Sequence, residues 1–584
     1  MRTHFILGWG LVAALAVVTT FGAGSCQCQR STFCAGIACG SGEECNPDNG
    51  NCEPINCIPG YTRCAAGDSG GLERCNATGD GYITVGSCGP GQSCVTGTTG
   101  GTCDPPACAP GSSMCQADGS VSYCLVGVFE NPVPCSSGEV CDPSAGGNCV
   151  PTECGPSTLY CAAGGGEVRM CNALGTSSTS VETCQPGDEC NNGQCLSMCE
   201  LAELERSFVG CVYMALDTDN VSRDDPLQYD IVVSNPSSSL TAMVNIETRN
   251  GAGGSWTSVA SDSVAPSTIR IFALPDRHAE GSTIATALAY RVTASIPIVA
   301  YQFNSDDLSG SAGSSGASLL YPKPALDKYY YAVSLPATTG DDTLFTFGGE
   351  MHHSGFAVIG AFDGTNVNIT VNTSTQAGGG IPAMSPGDGY ATTLNEGDVL
   401  QIESANLGGD VTGSYITSDQ PVAVFGYHEC AILDASTCDH IEEELMPVTA
   451  WGKTFANVGI VAGSAAKVWR FVGSEDGTTV TVEYTGSVSG LPASGSGFLI
   501  NAGEYMDFTV TGDFYAFSDK AIFIAQFNIG ETDMVTSVPV DQWLDSYLFI
   551  APPFFGDNMT IVRHMTSTIT LDGAPIPAGM WGPA

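Results

Sequence analysis

The sequence predicts an all-β protein in which tandem antiparallel β modules follow a disulfide-rich, loop-dominated repeat region. Of the 28 cysteines, all but Cys430 and Cys438 lie between Cys26 and Cys211. The 73 glycines and 32 prolines favour turns over long helices. After Cys211, short runs such as GTTVTVEYT at 477–485 alternate polar and apolar residues, as half-buried strands do. These patterns fit either a propeller-like ring or packed β-sandwiches.

The first segment, residues 1–25, is predicted to be a signal peptide. Arg2 precedes an apolar run at 5–21 that is short for a membrane span. The next residue, Cys26, fits both a lipidated cysteine and the first residue after simple cleavage behind Ser25. Both interpretations predict an exported chain, on the cell surface or secreted, in a compartment where disulfides persist. A lipid on Cys26 would be its only contact with a membrane.

Residues 57–198 are predicted to form three disulfide-bonded repeats of six cysteines, preceded by a divergent Cys-rich segment at 26–56. Each repeat opens with C-x6-C and carries C-x5-C near its end. Zinc is the competing explanation, but export and the lack of repeated C-x2-C pairs favour disulfides. Six cysteines allow fifteen connectivities, which the sequence leaves open. The predicted disulfide cysteines of the repeats are Cys57, Cys64, Cys75, Cys88, Cys94, Cys103, Cys108, Cys115, Cys124, Cys135, Cys141, Cys149, Cys154, Cys161, Cys171, Cys184, Cys190 and Cys195.

Residues 199–226 are predicted to be a linker, with a short helix near 200–205. Asp217 and Asp219 resemble the start of a calcium loop. That loop requires glycine at its sixth position, where this chain has Ser222. We therefore expect an exposed acidic linker here.

Residues 227–584 are predicted to be a tandem array of β modules, because one buried strand recurs. Its three copies are PIVAYQFN at 297–304, PVAVFGYH at 421–428 and AIFIAQFN at 521–528. Such nearly continuous apolar runs are typical of strands buried on both faces. A proline followed four residues later by a large apolar residue also recurs, at Pro322, Pro447 and Pro539. The copy that begins at Pro539 stops in mid-pattern, so we expect a truncated last module.

Four motifs carry a family resemblance: IVAYQFN at 298–304, ASLLYP at 317–322, DQPVAVFGYHEC at 419–430 and CDHIEEELMPVTAWGK at 438–453. In this order and spacing they resemble the N-terminal domain of the IgG Fc-binding protein family. The resemblance covers residues 227–584 and not the Cys-rich repeats. It implies an extracellular binding or adhesion role and assigns no catalytic residue.

Polar residues at the ends of the recurring strand are candidate ligand contacts. They are Gln302, Asn304, His428, Gln526 and Asn528, and they converge on a binding mouth if the modules are related by rotation. The alternative is that each satisfies backbone groups where its strand ends.

A loop near the second copy of this strand is a candidate metal site. Cys430 and Cys438 are predicted to form a local disulfide there. His428, Asp439 and His440 flank the loop, and such residues bind zinc or another divalent ion. The alternative is a solvated acidic turn, and no cofactor is predicted. His352 and His353 join such a site only if folding brings them close.

The charge of the chain limits its partners. Its 61 acidic and 18 basic residues give a net charge of −43, which excludes binding to a nucleic-acid backbone. The leading hypothesis is a surface binding or adhesion protein, whose β domain contacts a glycan or protein and whose Cys-rich repeats form a stalk. The alternatives are a metal-dependent polysaccharide hydrolase and a disulfide-linked matrix component.

Overall fold

The computed structural model describes residues 3–6, 43–45, 52–54, 57–66, 71–77, 79, 81–90, 92–97, 100–104, 107–125, 128–221, 228–251, 253–304, 315–339, 351–433, 439–459, 466–529, 532–549 and 559–581. The chain divides into two compact units: the Cys-rich unit, Ala13–Ser197, and the β unit, Met198–Ala584 with Met1–Val12. Cys26 lies outside the described residues. So does the predicted signal peptide, apart from a strand at Thr3–Ile6 that pairs with Ser546–Phe549. No helix in the described part of the chain is long and apolar enough to cross a membrane.

Each Cys-rich repeat consists of a three-stranded antiparallel meander followed by a two-stranded hairpin. A further hairpin joins Glu43–Cys45 to Cys52–Pro54 in the divergent segment. The strands of the three repeats are Thr62–Cys64, Gly71–Cys75, Tyr82–Ser87, Ser93–Gly97 and Gly100–Asp104; Ser113–Cys115, Val121–Leu125, Val128–Phe129, Glu139–Asp142 and Asn148–Pro151; and Leu159–Cys161, Glu167–Cys171, Ser178–Thr183, Glu189–Asn191 and Gln194–Leu196.

All the predicted disulfide cysteines of the repeats are paired in the structure, and every repeat has the same pairing. The first cysteine bonds to the third, the second to the fifth and the fourth to the sixth, with Cα–Cα distances of 5.3 to 6.1 Å. The second-to-fifth bond joins the meander to the hairpin. The bonds are Cys57–Cys75, Cys64–Cys94, Cys88–Cys103, Cys108–Cys124, Cys115–Cys141, Cys135–Cys149, Cys154–Cys171, Cys161–Cys190 and Cys184–Cys195.

The β unit begins inside the segment predicted to be a linker. The expected short helix is present at Met198–Glu205, and Cys199–Cys211 anchors it to the strand Gly210–Ala215. That strand pairs with Tyr290–Asn304, so it belongs to the first β module. The acidic residues that follow are buried rather than exposed, with Asp217 at 4% exposure. The linker prediction missed this because the partner strand lies far along the chain.

Three modules repeat one order of seven strands, of which the sixth is long. The first module holds Gly210–Ala215, Tyr229–Ser234, Ala242–Arg249, Trp256–Val264, Ile269–Leu274, Tyr290–Asn304 and Gly316–Leu319. The second holds Asp327–Tyr331, Ser354–Gly360, Thr365–Thr370, Gly389–Leu394, Val399–Glu403, Tyr415–Ala431 and Asp439–Glu444. The third holds Gly452–Asn457, Lys467–Gly473, Thr478–Glu483, Ser496–Ile500, Tyr505–Val510, Phe514–Asn528 and Met534–Thr536.

Shorter elements complete the fold. Thr283–Ala285 extends the second module's sheet, and Thr338–Thr339 pairs with Met351–His352. The other strands are Ser546–Phe549, Thr570–Leu571 and Ala574–Pro575, and the 3₁₀ turns are Pro143–Ala145, Lys323–Ala325, Val448–Ala450, Val540–Gln542 and Ala578–Met580.

The long strand of each module pairs with different strands along its two halves. In Tyr415–Ala431, the first part pairs with Asp327–Tyr331 and Thr365–Thr370. The second part pairs with Ser354–Gly360 and Asp439–Glu444. Each module is therefore one curled antiparallel sheet whose two halves share the long strand and pack against each other as a sandwich. Of the two architectures that the sequence allowed, the sandwich describes the modules.

Residues of one sandwich complete the hydrophobic core of the sandwich that precedes it. Alternate residues of Ser354–Gly360 point to opposite faces: Phe356 and Val358 fill their own module, whereas Ala357 and Ile359 join the core of the first module. Phe523 of the third module joins the core of the second in the same way. The outer face of each sandwich thus covers the open side of the preceding one.

The recurring proline motif forms the joint between modules. Pro322, Pro447 and Pro539 each precede a 3₁₀ turn that leads into the first strand of the next copy. A Cβ on Gly452 would lie 2.3 Å from the Cβ of Pro539, so only glycine permits this approach. After the third joint, Ser546–Phe549 takes the place of a first strand.

Carboxyl groups cluster where the seventh strands of the modules meet. Ser318 Oγ donates to Glu443 and accepts from the Glu444 backbone N–H at 2.7 Å. Desolvation raises the pKa of Glu443 and of Glu444 well above the usual value. Desolvation also raises the pKa of Asp533, a neighbour of Glu443, to about 6. Protonation of these three carboxyl groups therefore favours the folded state of the β unit.

We predict that removing the second-to-fifth disulfide of the first repeat, by Cys64→Ser with Cys94→Ser, destabilises that repeat by roughly 3–4 kcal/mol. This bond closes the longest loop of the repeat, with a separation of 30 residues. Limited proteolysis of the full chain measures the loss, and Val95→Ser is the matched control because Val95 is an exposed neighbour of Cys94. Disulfide mapping that links Cys64 to any other cysteine would contradict the assignment.

We predict that Asp533 makes the β unit less stable as the pH rises. Its pKa is higher in the folded state than the reference 3.8, so its contribution is present below about pH 4 and lost as the pH rises through about 6. In Asp533→Asn, the loss of unfolding free energy between pH 4.5 and 7.5 should shrink by roughly 2–3 kcal/mol, since one pKa unit is about 1.4 kcal/mol. Urea titrations at both pH values measure this change in unfolding free energy, and Asp541→Asn is the control because Asp541 is exposed. Equal losses in the wild type and Asp533→Asn would refute it.

Candidate functional site

A cavity of about 700 Å³ lies in the β unit, bordered by the first and third modules and by the segment after Pro539. This volume suits a small ligand. Phe208 and Tyr547 stack at one wall, with ring centroids 6.1 Å apart. The aromatic residues that line the cavity include Phe208, Tyr301, Tyr321, Trp469, Trp543 and Tyr547.

The polar side chains that line this cavity include Asn457, Gln526 and Thr536. Asn457 and Gln526 are each only 2% exposed. Within the described part of the chain, both amide atoms of Asn457, Oε1 of Gln526 and the hydroxyl of Thr536 are buried without a hydrogen-bond partner. Leaving such an atom unsatisfied costs about 1–3 kcal/mol, so a side-chain rotation that turns these atoms toward a ligand hydroxyl in the cavity would be favourable.

The predicted ligand residues of the first module do not reach this cavity. Gln302 is fully buried, accepts from the Leu216 N–H at 3.1 Å and donates to the Leu216 carbonyl at 2.8 Å. Asn304 donates to the hydroxyl of Thr218 at 3.0 Å. Both side chains thus satisfy groups at the ends of neighbouring strands, which is the alternative that the sequence left open.

In the third module, Gln526 lines the cavity, as described above, and its Nε2 donates to Asn528 Oδ1 at 3.1 Å. Asn528 is half-buried, and its backbone N–H donates to the carbonyl of Asp533 at 3.1 Å. Of the five predicted ligand contacts, Gln526 is the one that borders the cavity in the described structure.

The three predicted metal ligands do not come together. His428 Nδ1 accepts from the Cys430 N–H at 3.0 Å, and Nε2 lies 3.1 Å from the Pro336 carbonyl, to which it donates. Neither ring nitrogen has a lone pair left for a metal, and burial lowers the pKa of His428 to about 3. Asp439 accepts from the Ser315 N–H at 2.9 Å.

His440 is fully buried, and its Nε2 lies 3.1 Å from the hydroxyl of Thr218. Among the described residues, the ligand atoms of His428, Asp439 and His440 form no common group. In the loop itself, Cys430 is disulfide-bonded, whereas Cys438 lies outside the described residues.

A different set of residues converges nearby. One imidazole nitrogen of His353 and one carboxylate oxygen each of Glu403 and Glu429 lie within 4.8 Å of one another. Strand register produces this: Gly355 is opposite Glu403, and Ser354 is opposite His428. Desolvation and the charge of Glu429 raise the pKa of Glu403. The sequence offers His353 only as a conditional member of a metal site, because sheet register rather than spacing brings it close to Glu403 and Glu429.

Sequence reasoning also did not identify the aromatic residues of the cavity wall, although the recurring proline motif points to one of them. Trp543 belongs to the recurring proline motif, whose equivalent, Trp451, is packed in the core of the second module. An apolar residue that is buried in one copy and borders a cavity in another marks a place where the repeat has diverged in packing.

Comparison with known proteins bears on the identity of the β unit. Residues 316–584 match the family model described as IgGFc binding protein. The human IgGFc-binding protein is 26% identical over 255 residues, which cover 43% of this chain and 4% of that protein. The chain thus spans only a small part of the length of this relative. No solved structure matches.

The family match agrees with the motifs at 317–322, 419–430 and 438–453. The disulfides of the Cys-rich unit indicate an extracellular or secreted protein. Residues 316–584 of this chain are therefore similar to the IgGFc-binding protein family.

Proposed function

We propose that this chain is an exported surface adhesion protein whose β unit binds a glycan in the cavity between its first and third modules. The observation that carries the proposal is the lining of that cavity: aromatic rings together with the uncommitted polar atoms of Asn457, Gln526 and Thr536. The Cys-rich repeats serve as a stalk.

The cavity lining suits a sugar ring in particular. A pyranose presents C–H groups on one face and hydroxyl groups around its rim. Aromatic side chains such as Trp543 and Tyr547 offer flat apolar surfaces on which the C–H face can pack. Amides such as Asn457 both donate and accept, as a hydroxyl requires. A few fixed polar groups in a mainly apolar wall are the usual composition of a specific small-ligand site.

The charge of the protein narrows the class of glycan. A net charge of −43 repels sulfated and uronic-acid-rich polysaccharides at long range. No Lys lines the cavity, and Arg206 is its one lining arginine in the described structure. Neutral hexoses and N-acetylated amino sugars are therefore the expected ligands.

The disulfide pattern supports a stalk rather than a matrix component. Each described cysteine of the three repeats pairs within its own repeat, so these cysteines are not available for bonds between chains. Such local pairing suits a stable, protease-resistant spacer.

We predict that the full chain binds neutral glycans on an array and that Tyr547→Ala weakens the binding about 10-fold, the loss expected for one aromatic contact of about 1.4 kcal/mol. Asn457→Leu should weaken it similarly, because the buried amide then offers no hydrogen bonds. Isothermal titration with the best array ligand measures both effects.

The matched control is Tyr329→Ala, because Tyr329 is an exposed tyrosine that does not line the cavity. It should leave glycan affinity unchanged. Binding that survives both cavity variants, or binding to proteins such as IgG Fc and to no glycan, would show that the cavity is not the ligand site.

A further inference from the structure

We propose that His353, Glu403 and Glu429 bind a divalent transition-metal ion, with Zn²⁺ as the best match. One imidazole nitrogen and two carboxylate oxygens within 4.8 Å of one another are a donor set that zinc uses. The proposal concerns the second module alone and is independent of glycan binding.

The imidazole of His353 is held in the tautomer that a metal ligand needs. Its Nδ1 lies 2.8 Å from the carbonyl oxygen of Ser404, which can only accept a hydrogen bond. Nδ1 therefore carries the proton, and Nε2 presents a lone pair. A backbone carbonyl that fixes the far nitrogen in this way is the usual second partner of a metal-binding histidine.

Both carboxylates are held in place by neutral donors. Tyr427 donates its hydroxyl to Glu403 Oε1 at 2.9 Å, and the backbone N–H of His353 donates to Glu429 Oε2 at 2.9 Å. In each case these contacts orient the carboxylate without neutralising it. Carboxylates positioned by such hydrogen bonds are typical of built metal sites.

The side-chain nitrogen of Gln376 is surrounded by hydrogen-bond acceptors. It is 2.9 Å from each ring nitrogen of His353, 3.3 Å from Glu403 Oε2 and 3.5 Å from the carbonyl of Ser404. An amide nitrogen has only two protons, fewer than the acceptors around it. Rotating the amide by half a turn presents its oxygen instead, as a fourth metal ligand.

Carboxyl groups are concentrated around the group, and its most exposed members are His353 and Glu429. Glu403 is 1% exposed, and it is hydrogen-bonded with the buried carboxyl of Asp219. The side chain of Glu429 is 12% exposed, and His353 is half-buried. A small cation can therefore enter from the side of His353 and Glu429, and it would offset carboxylate charge that burial makes costly.

The test is titration of the chelator-treated full chain with ZnCl₂, followed by calorimetry and by metal analysis after dialysis. The wild type should retain one Zn²⁺ that Glu429→Gln and His353→Ala bind at least about 100-fold more weakly, a larger loss than outer partners cause. Co²⁺ in place of Zn²⁺ should give a visible absorption band in the wild type and none in either variant.

His278→Ala is the matched control, because His278 belongs to a second and more exposed group with Asp217 and Asp276. It should leave the affinity unchanged. Near-isosteric Glu429→Gln decides the matter if His353→Ala fails to fold, as judged by thermal melts in chelator. The proposal is overturned if the wild type binds no Zn²⁺, if folded Glu429→Gln binds as well as the wild type, or if His278→Ala is the variant that loses the ion.

Discussion

The β unit depends on one packing constraint: each curled sandwich has an open interior that the outer face of the next sandwich must cover. Ala357 and Ile359 fill the first module from the second, and Phe523 fills the second from the third. Strands at these boundaries are buried on both faces, which explains why 421–428 is almost continuously apolar. The modules consequently form one compact unit rather than three independent domains.

Buried arginines lock the same boundaries. Fully buried Arg470 of the third module bonds Asp410 of the second and Asp507 of its own module, each at 2.7 Å. Arg249 of the first module pairs with Asp363 of the second. Removing Asp410 from the buried pair with Arg470 would cost about 3–5 kcal/mol, because the arginine charge then stays partly uncompensated. Exposed Asp363 makes the pair with Arg249 weaker. Apolar contact supplies the stability of each boundary, and these pairs define its register.

The elements that sequence predicts well are those encoded locally or by repetition. The recurring strand ending in Asn304, His428 or Asn528 was recognised because its apolar run and its spacing repeat. The strand Gly210–Ala215 is not predicted from sequence, because its pairing with the distant strand Tyr290–Asn304 is what makes it part of a sheet. The cavity and the His353 group are harder still, because their residues come from strands that only sheet register brings together. Gln526 was found because it lies on the repeated strand itself.

The pairing within each Cys-rich repeat has a mechanical consequence. When the chain is pulled from both ends, force follows the shortest covalent path. From Cys57 to Cys103 that path crosses the bonds Cys57–Cys75 and Cys88–Cys103. This path leaves only about 13 residues of backbone to stretch, which extend to roughly 45 Å. Without disulfides, the whole segment 57–103 would extend to roughly 160 Å. A repeat of this kind behaves as a short tether of nearly fixed length, and it keeps that length under flow or tension even where its few hydrogen bonds are lost.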